Sequence, residues 1–138
     1  MLIVYGRLLT DKIVREVEDK LAAHDVIARS IRRASKYGIM DIVRDGDKGE
    51  KPDVIILVDN EMPSGPYSAE EFVYMRYSRD VKVMPLLASD LRGTPFMRTL
   101  LQNGIYNAIF LRDTNSTNIA QLIVRGRNYN IAKDYYGV

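Results

Sequence analysis

Five consecutive apolar residues, Val54-Ile55-Ile56-Leu57-Val58, constrain this chain more than any other stretch. A strand that is apolar on both faces must be covered on both, which is the situation of a central parallel strand between two layers of helices. The remaining pattern alternates as such a sheet requires. Leu2 to Tyr5 reads as a first strand ending at Gly6, and Thr10 can cap a helix with Ile13, Val14, Val17 and Leu21 on one face. Val26 to Ile31 reads as a second strand. Arg32 to Lys48 is ambiguous: Ile39, Met40 and Val43 have helical spacing, Gly38 interrupts it, and a short extended segment fits as well. Asp45-Gly46-Asp47-Lys48-Gly49 reads as a loop.

Beyond the central strand, Ser68-Ala69-Glu70-Glu71 is a capping box opening a helix with Phe72, Val73 and Tyr77. Val81 to Leu87 is a fourth strand weakened by Pro85. Thr94-Pro95 starts a helix carrying Phe96, Met97, Leu100 and Leu101, which leaves through Asn103-Gly104. Ala108 to Leu111 is a fifth strand, and Ser116 caps a last helix with Ile119, Leu122 and Ile123 buried. Right-handed crossovers then predict a flavodoxin-like three-layer αβα sandwich with a five-stranded parallel sheet of order 2-1-3-4-5. The expected domain covers 1–127, with 128–138 a helical extension or the start of a linker.

Composition removes several classes of function. At 138 residues the chain has room for one core, and it has no cysteine and a single histidine, His24. Neither a disulfide framework, a thiolate site nor a multi-histidine metal site is available. His24 falls at the end of the first helix, where a polar side chain is commonplace. No apolar run is long enough to span a bilayer and the N-terminus opens straight into a strand-like run, so the cytoplasm is the expected location. The formal net charge is +2. The densest basic group, Arg29, Arg32, Arg33 and Lys36, followed by the pair Arg125 and Arg127, reads as solvated surface rather than a nucleic-acid footprint. No nucleophile elbow and no carboxylate pair on neighbouring strand ends is present, so the chain is not expected to be an enzyme, and no cofactor or metal is expected.

The segment Pro52 to Pro63 resembles the third strand and phosphoacceptor loop of bacterial response-regulator receiver domains. Asp59 ends the strand, and Met62 and Pro63 follow at the family's spacing, although the strand carries one residue more than usual. Gly104-Ile105-Tyr106-Asn107-Ala108-Ile109 is similar to the family's entry into strand five. The C-terminal run, including Ala132 to Val138, resembles the end of atypical receivers that precede a deviant Walker-type ATPase. This chain has no phosphate-binding loop of its own, so that likeness implies a downstream ATPase domain.

The departures from the family bear most on function. Receiver phosphorylation needs a divalent cation held by hard oxygen ligands. After strand one, where the family has acidic residues, this chain reads Gly6-Arg7-Leu8, and Asp11 lies further on as a helix-favouring surface acid. Leucine replaces the hydroxyl residue at the end of strand four, with Ser89 and Asp90 just past it, and Leu111 stands where the family has its lysine. Arg112 is adjacent but on the opposite face if the strand continues. Asp59 is then a vestigial phosphoacceptor position that caps a turn.

The expectation is therefore a phosphorylation-independent interaction and dimerisation module. Its expected face is the one receivers pair through, with Arg98, Gln102, Tyr106, Arg112, Asn118 and Gln121. Tyr129, Tyr135 and Tyr136 form either an exposed sticky tail or a packed end. Two alternatives stay open: a phosphoacceptor receiver using Asp59, and a ligand- or nucleic-acid-binding domain at the strand ends carrying Gly6, Arg7, Asp59, Asn60 and Ser89.

Overall fold

A computed structural model of the chain describes residues 1–45, 53–62, 65–78 and 81–138. At its centre β1 (Leu2–Tyr5) pairs in parallel with β2 (Arg29–Arg32) on one side and β3 (Val54–Leu57) on the other. A small antiparallel hairpin, β4 (Glu61–Met62) with β5 (Gly65–Pro66), follows β3, whose other neighbour in the sheet is β6 (Val81–Val83). The result is a four-stranded parallel sheet of order β2-β1-β3-β6.

The fifth strand does not join this ladder as expected. β7 (Leu86–Leu87) and β8 (Ile109–Phe110) form a separate two-stranded parallel pair. Pro85 supplies the reason. Met84 and Leu86 donate their N–H groups towards β3, to Ile56 and Val58, so Pro85 between them faces β8. Its carbonyl accepts from the Ile109 N–H, but it has no N–H to return. A single parallel bridge, Asp59 with Leu86, connects the two ladders.

Six helices among the described residues, α1 (Asp11–Ala22), α2 (Lys36–Asp45), α3 (Ala69–Ser78), α4 (Pro95–Gln102), α5 (Ser116–Val124) and α6 (Tyr129–Tyr136), cover the sheet. The two-residue alternation of the strands sorts the core into two layers. Leu2, Val4, Val54, Ile56 and Phe110 meet α2, α3, α4 and α6, whereas Ile3, Tyr5, Ile55, Leu57 and Ile109 meet α1 and α5. No helix among the described residues is long and apolar enough to cross a membrane.

Capping follows the sequence reading in part. Thr10 accepts from the Ile13 N–H, and Ser68 and Glu71 exchange bonds as a capping box. Thr94, however, donates to the Leu91 carbonyl rather than capping α4. Asn115, not Ser116, caps α5, its side-chain Oδ1 accepting from the Asn118 N–H at 2.8 Å. β2 begins three residues later than expected, because Asp25 takes a left-handed conformation (φ 61°) and the chain must first leave α1. The ambiguous stretch contains α2; Gly46 to Gly49 of the expected loop lie outside the described residues. Residues 128–138 hold α6, whose carbonyl end is closed by Arg92, donating to the Tyr135 and Asp134 carbonyls, and by Gly137 in the left-handed region. A Cβ on Gly137 would stand 2.8 Å from the Arg92 guanidinium, so a side chain there would strain the backbone and also displace the arginine that closes the helix.

Candidate functional site

The strand ends where a receiver would bind its cation are filled by an arginine. β2 ends at Arg32, and the parallel register brings that residue beside Tyr5, the last residue of β1. The Arg32 guanidinium stacks 4.7 Å from the Tyr5 ring centroid and donates to the carbonyls of Gly6 (2.8 Å) and Leu9 (3.0 Å) and to Asp11 Oδ1 (2.7 Å). The Tyr5 hydroxyl donates to the same carboxylate oxygen at 3.1 Å. The hydrogen bond from Arg32, with a smaller one from Tyr5, holds the Asp11 carboxyl below its usual range. Burial, and then the bond to Asp11, push the Tyr5 phenol up.

These residues do not fit a divalent cation. The loop carbonyls that could serve as hard ligands already accept from a fixed guanidinium, and the sole nearby carboxylate of the loop, Asp11, pairs with it. Among the described residues no group of three His, Asp or Glu converges on one point. Arg32, read from the sequence as solvated surface, thus ties the β1–α1 loop to β2. Leu8, in the stretch compared with the receivers' acidic residues, and Leu111, compared with their lysine, line a small apolar cavity of about 170 Å³ with Leu9, Ile13 and Thr114. Leu111 and Arg112 belong to a short 3₁₀ turn (Leu111–Asp113), not to a strand. The expected opposite-face argument for Arg112 therefore does not hold; its guanidinium lies 5.9 Å from the Phe110 ring and 3.6 Å from Asp113. Ser89 and Asp90 likewise sit in a 3₁₀ turn, and His24 is exposed just past α1.

Asp59 is half-buried at the end of β3, with its Oδ1 shielded from solvent. Met62 is in the hairpin strand β4, and Pro63 lies outside the described residues. The chain returns from the hairpin through Tyr67, whose N–H bonds the Asn60 carbonyl at 2.6 Å. Lys36 closes this corner: it bonds the Pro66 carbonyl, pairs with Glu71 at 2.6 Å and lies 5.0 Å from the Tyr67 ring centroid. Burial would raise the Glu71 carboxyl, but bonds from Lys36 and Ser68 outweigh it and hold the group below its usual range.

The Tyr67 side chain is 1% exposed, and its hydroxyl has no hydrogen-bond partner among the described residues. Burial, with the charges of Glu71 and Asp59, raises its phenol well above the usual range. A buried hydroxyl without a partner costs stability, so Tyr67→Phe is expected to stabilise the protein by about 1 kcal/mol. Urea unfolding checks this; a lower midpoint for the variant would contradict it.

The expected interaction face is altered by α6. Among its residues, Arg98, Gln102, Arg112 and Gln121 are exposed, Asn118 is half-buried and donates to the Asp113 carbonyl, and Tyr106 is half-buried against Tyr129 of α6 with ring centroids 6.1 Å apart. Across the outer edge of β8, side chains take the place of a neighbouring strand. The Ala108 and Phe110 N–H groups donate to the hydroxyls of Tyr136 and Tyr135, each at 3.0 Å, and Arg127 donates to the Ala108 carbonyl at 2.6 Å. Tyr136 in turn donates to the Ile105 carbonyl at 2.7 Å, and Tyr135 to Asp113 Oδ2 at 2.6 Å. Of the two readings of the tyrosine-rich end, it is the packed one that the structure has. The edge is closed to strand addition.

No protein-family model matches the chain, and no curated protein matches it at the level of sequence. Sequence reasoning missed the role of Tyr5, Arg32 and Arg127. Their types are ordinary for surface or strand positions, and only the alignment of strand ends brings them to the carbonyls they satisfy. The tyrosines at 135 and 136 offered the one usable signal, two adjacent amphipathic rings at a chain segment placed outside the core.

Proposed function

We propose that the chain is a protein-interaction and dimerisation module of degenerate receiver type, working without phosphorylation and serving a larger assembly in a regulatory or localising role. The observation that carries this reading is the Arg32 guanidinium bound into the β1–α1 loop. A phosphotransfer site needs carboxylates available to a cation beside the phosphoacceptor, and the loop instead carries its own fixed positive charge, neutralised by Asp11. The apolar Leu8 and Leu111, 42% and 41% exposed, suit contact with another protein at the same end of the sheet. The fold reading that accompanies this joins the two ladders, through the Asp59–Leu86 bridge, into one flavodoxin-like sheet of the expected order 2-1-3-4-5, with β6 and β7 together as the fourth strand and β8 as the fifth; its support is the parallel sense of every pairing within the two ladders.

The partner that the sequence favours is a second copy of the chain. Sedimentation velocity at high micromolar protein, with and without magnesium and beryllofluoride, tests both halves of the proposal. The expected result is the same dimer in both conditions. A monomer in both removes self-association. A dimer formed only with beryllofluoride supports Asp59 as a working phosphoacceptor and overturns the reading.

A further inference from the structure

The outer edge of β8 borders a cleft of about 370 Å³. Ile109 and Leu122 supply its apolar surface, and Asn118, Gln121, Arg125 and Arg127 its polar surface, with Asp113 at the margin. Its volume is within the range of small-molecule sites, and the mixture of an apolar surface with a few convergent polar groups is typical of them.

The charge balance of the cleft is what points to a ligand. Arg127 is half-buried and rests 4.0 Å from the Tyr135 ring centroid. Its Nη1 donates to the Tyr106 and Ala108 carbonyls, and it forms no ion pair among the described residues. Arg125, exposed at the same cleft, has no ion pair there either. The one acid at the cleft, Asp113, already accepts from Tyr135 and lies within ion-pair distance of Arg112, outside the cleft. Asp113 acts on Arg127 only at a distance, and a half-buried guanidinium without an ion pair is costly, while its fork of N–H groups matches a planar carboxylate.

We propose that this cleft binds a small organic carboxylate, the carboxylate bridging Arg127 and Arg125 and its polar substituents meeting Gln121 and Asn118. The cleft lies apart from the strand-end region that carries the proposed function but shares Asn118 and Gln121 with the expected interaction face, so ligand binding is read from amide shifts and dimerisation separately from sedimentation. The test is a titration of the ¹⁵N-labelled full chain with sodium succinate, with inorganic phosphate and sodium chloride at matched ionic strength as separate arms. Saturable shifts of the Ile109, Gln121 and Gly126 amides are expected with succinate at millimolar concentration.

Gln121→Glu, an exposed change that places a negative charge in the cleft, is expected to weaken the binding about tenfold or more while leaving the rest of the spectrum unchanged. Arg125→Gln should do the same, and unlike Arg127 it makes no bond to the strand edge. Non-saturating shifts equal to those of chloride would overturn the proposal. Tighter binding of phosphate than of succinate would overturn the carboxylate assignment, and undiminished succinate binding by both variants would overturn the placement in this cleft.

Discussion

A chain ending at Arg127 is expected to lose its cooperative unfolding transition. The removed segment contains α6, and with it Tyr136 and Ala132, both fully buried in the larger core layer that also holds Phe110, Leu100 and Leu101. Losing that burial costs about 2–3 kcal/mol. The Ala108 and Phe110 N–H groups lose the two hydroxyls that accept from them, and Arg127 loses the ring it rests on. Unpaired in the protein, such donors cost about 1–3 kcal/mol each. If water reaches them instead, it does so by wetting Phe110 and the apolar face of α4, and the freed strand edge becomes a template for aggregation. The total is comparable with the whole stability of a domain this size, about 5–15 kcal/mol. Thermal unfolding followed by circular dichroism checks this. A truncated chain that melts cooperatively within a few degrees of the full chain would show that α6 is an accessory.

Tyr136→Phe is the second large effect, from the loss of one oxygen atom. That hydroxyl donates to Ile105 at 2.7 Å and accepts from Ala108 at 3.0 Å, both inside the protein, and burial raises its phenol far above the usual range, so it stays protonated. Phenylalanine keeps the packing and orphans both backbone groups. The expected loss is about 2–3 kcal/mol, or a Tm lower by roughly 10 °C. Tyr135→Phe should cost less, because Tyr135 is only half-buried and water can replace it at Asp113. Together with Tyr67→Phe, expected to stabilise, the three variants test one rule: the sign follows whether the hydroxyl has a partner. Equal effects at 67 and 136 would refute that account.

Much of the architecture was legible because it depends on local signals. The apolar run at 54–58, the capping box at Ser68 and Glu71, and the cap at Thr10 act over a few residues, and the structure has each of them. The errors came where an element depends on a distant partner. Pro85 was visible as a weak point in a strand, but that it would divide the sheet into two ladders depended on which neighbour its missing N–H faces. Arg32 reads as one of several solvated charges because neither Arg29 nor Arg33 near it reveals that the register delivers this side chain to the β1–α1 loop. The segment 128–138 follows the last helix that the sequence pattern predicts and so reads as an extension, yet its Ala132 and Tyr136 are buried in the core.

By itself, the sequence determined the α/β class, the central strand and the absence of acidic residues at Gly6-Arg7-Leu8, because side-chain period and residue type are properties of the chain alone. The tertiary structure decided what occupies the places those residues left. Arg32 reaches the loop carbonyls only through the pairing of β1 with β2, and the tyrosines reach the open edge of β8 only because α6 folds back onto α4. A buried or edge backbone group must find a partner, but which residue supplies it is set by the packing of elements far apart in the chain.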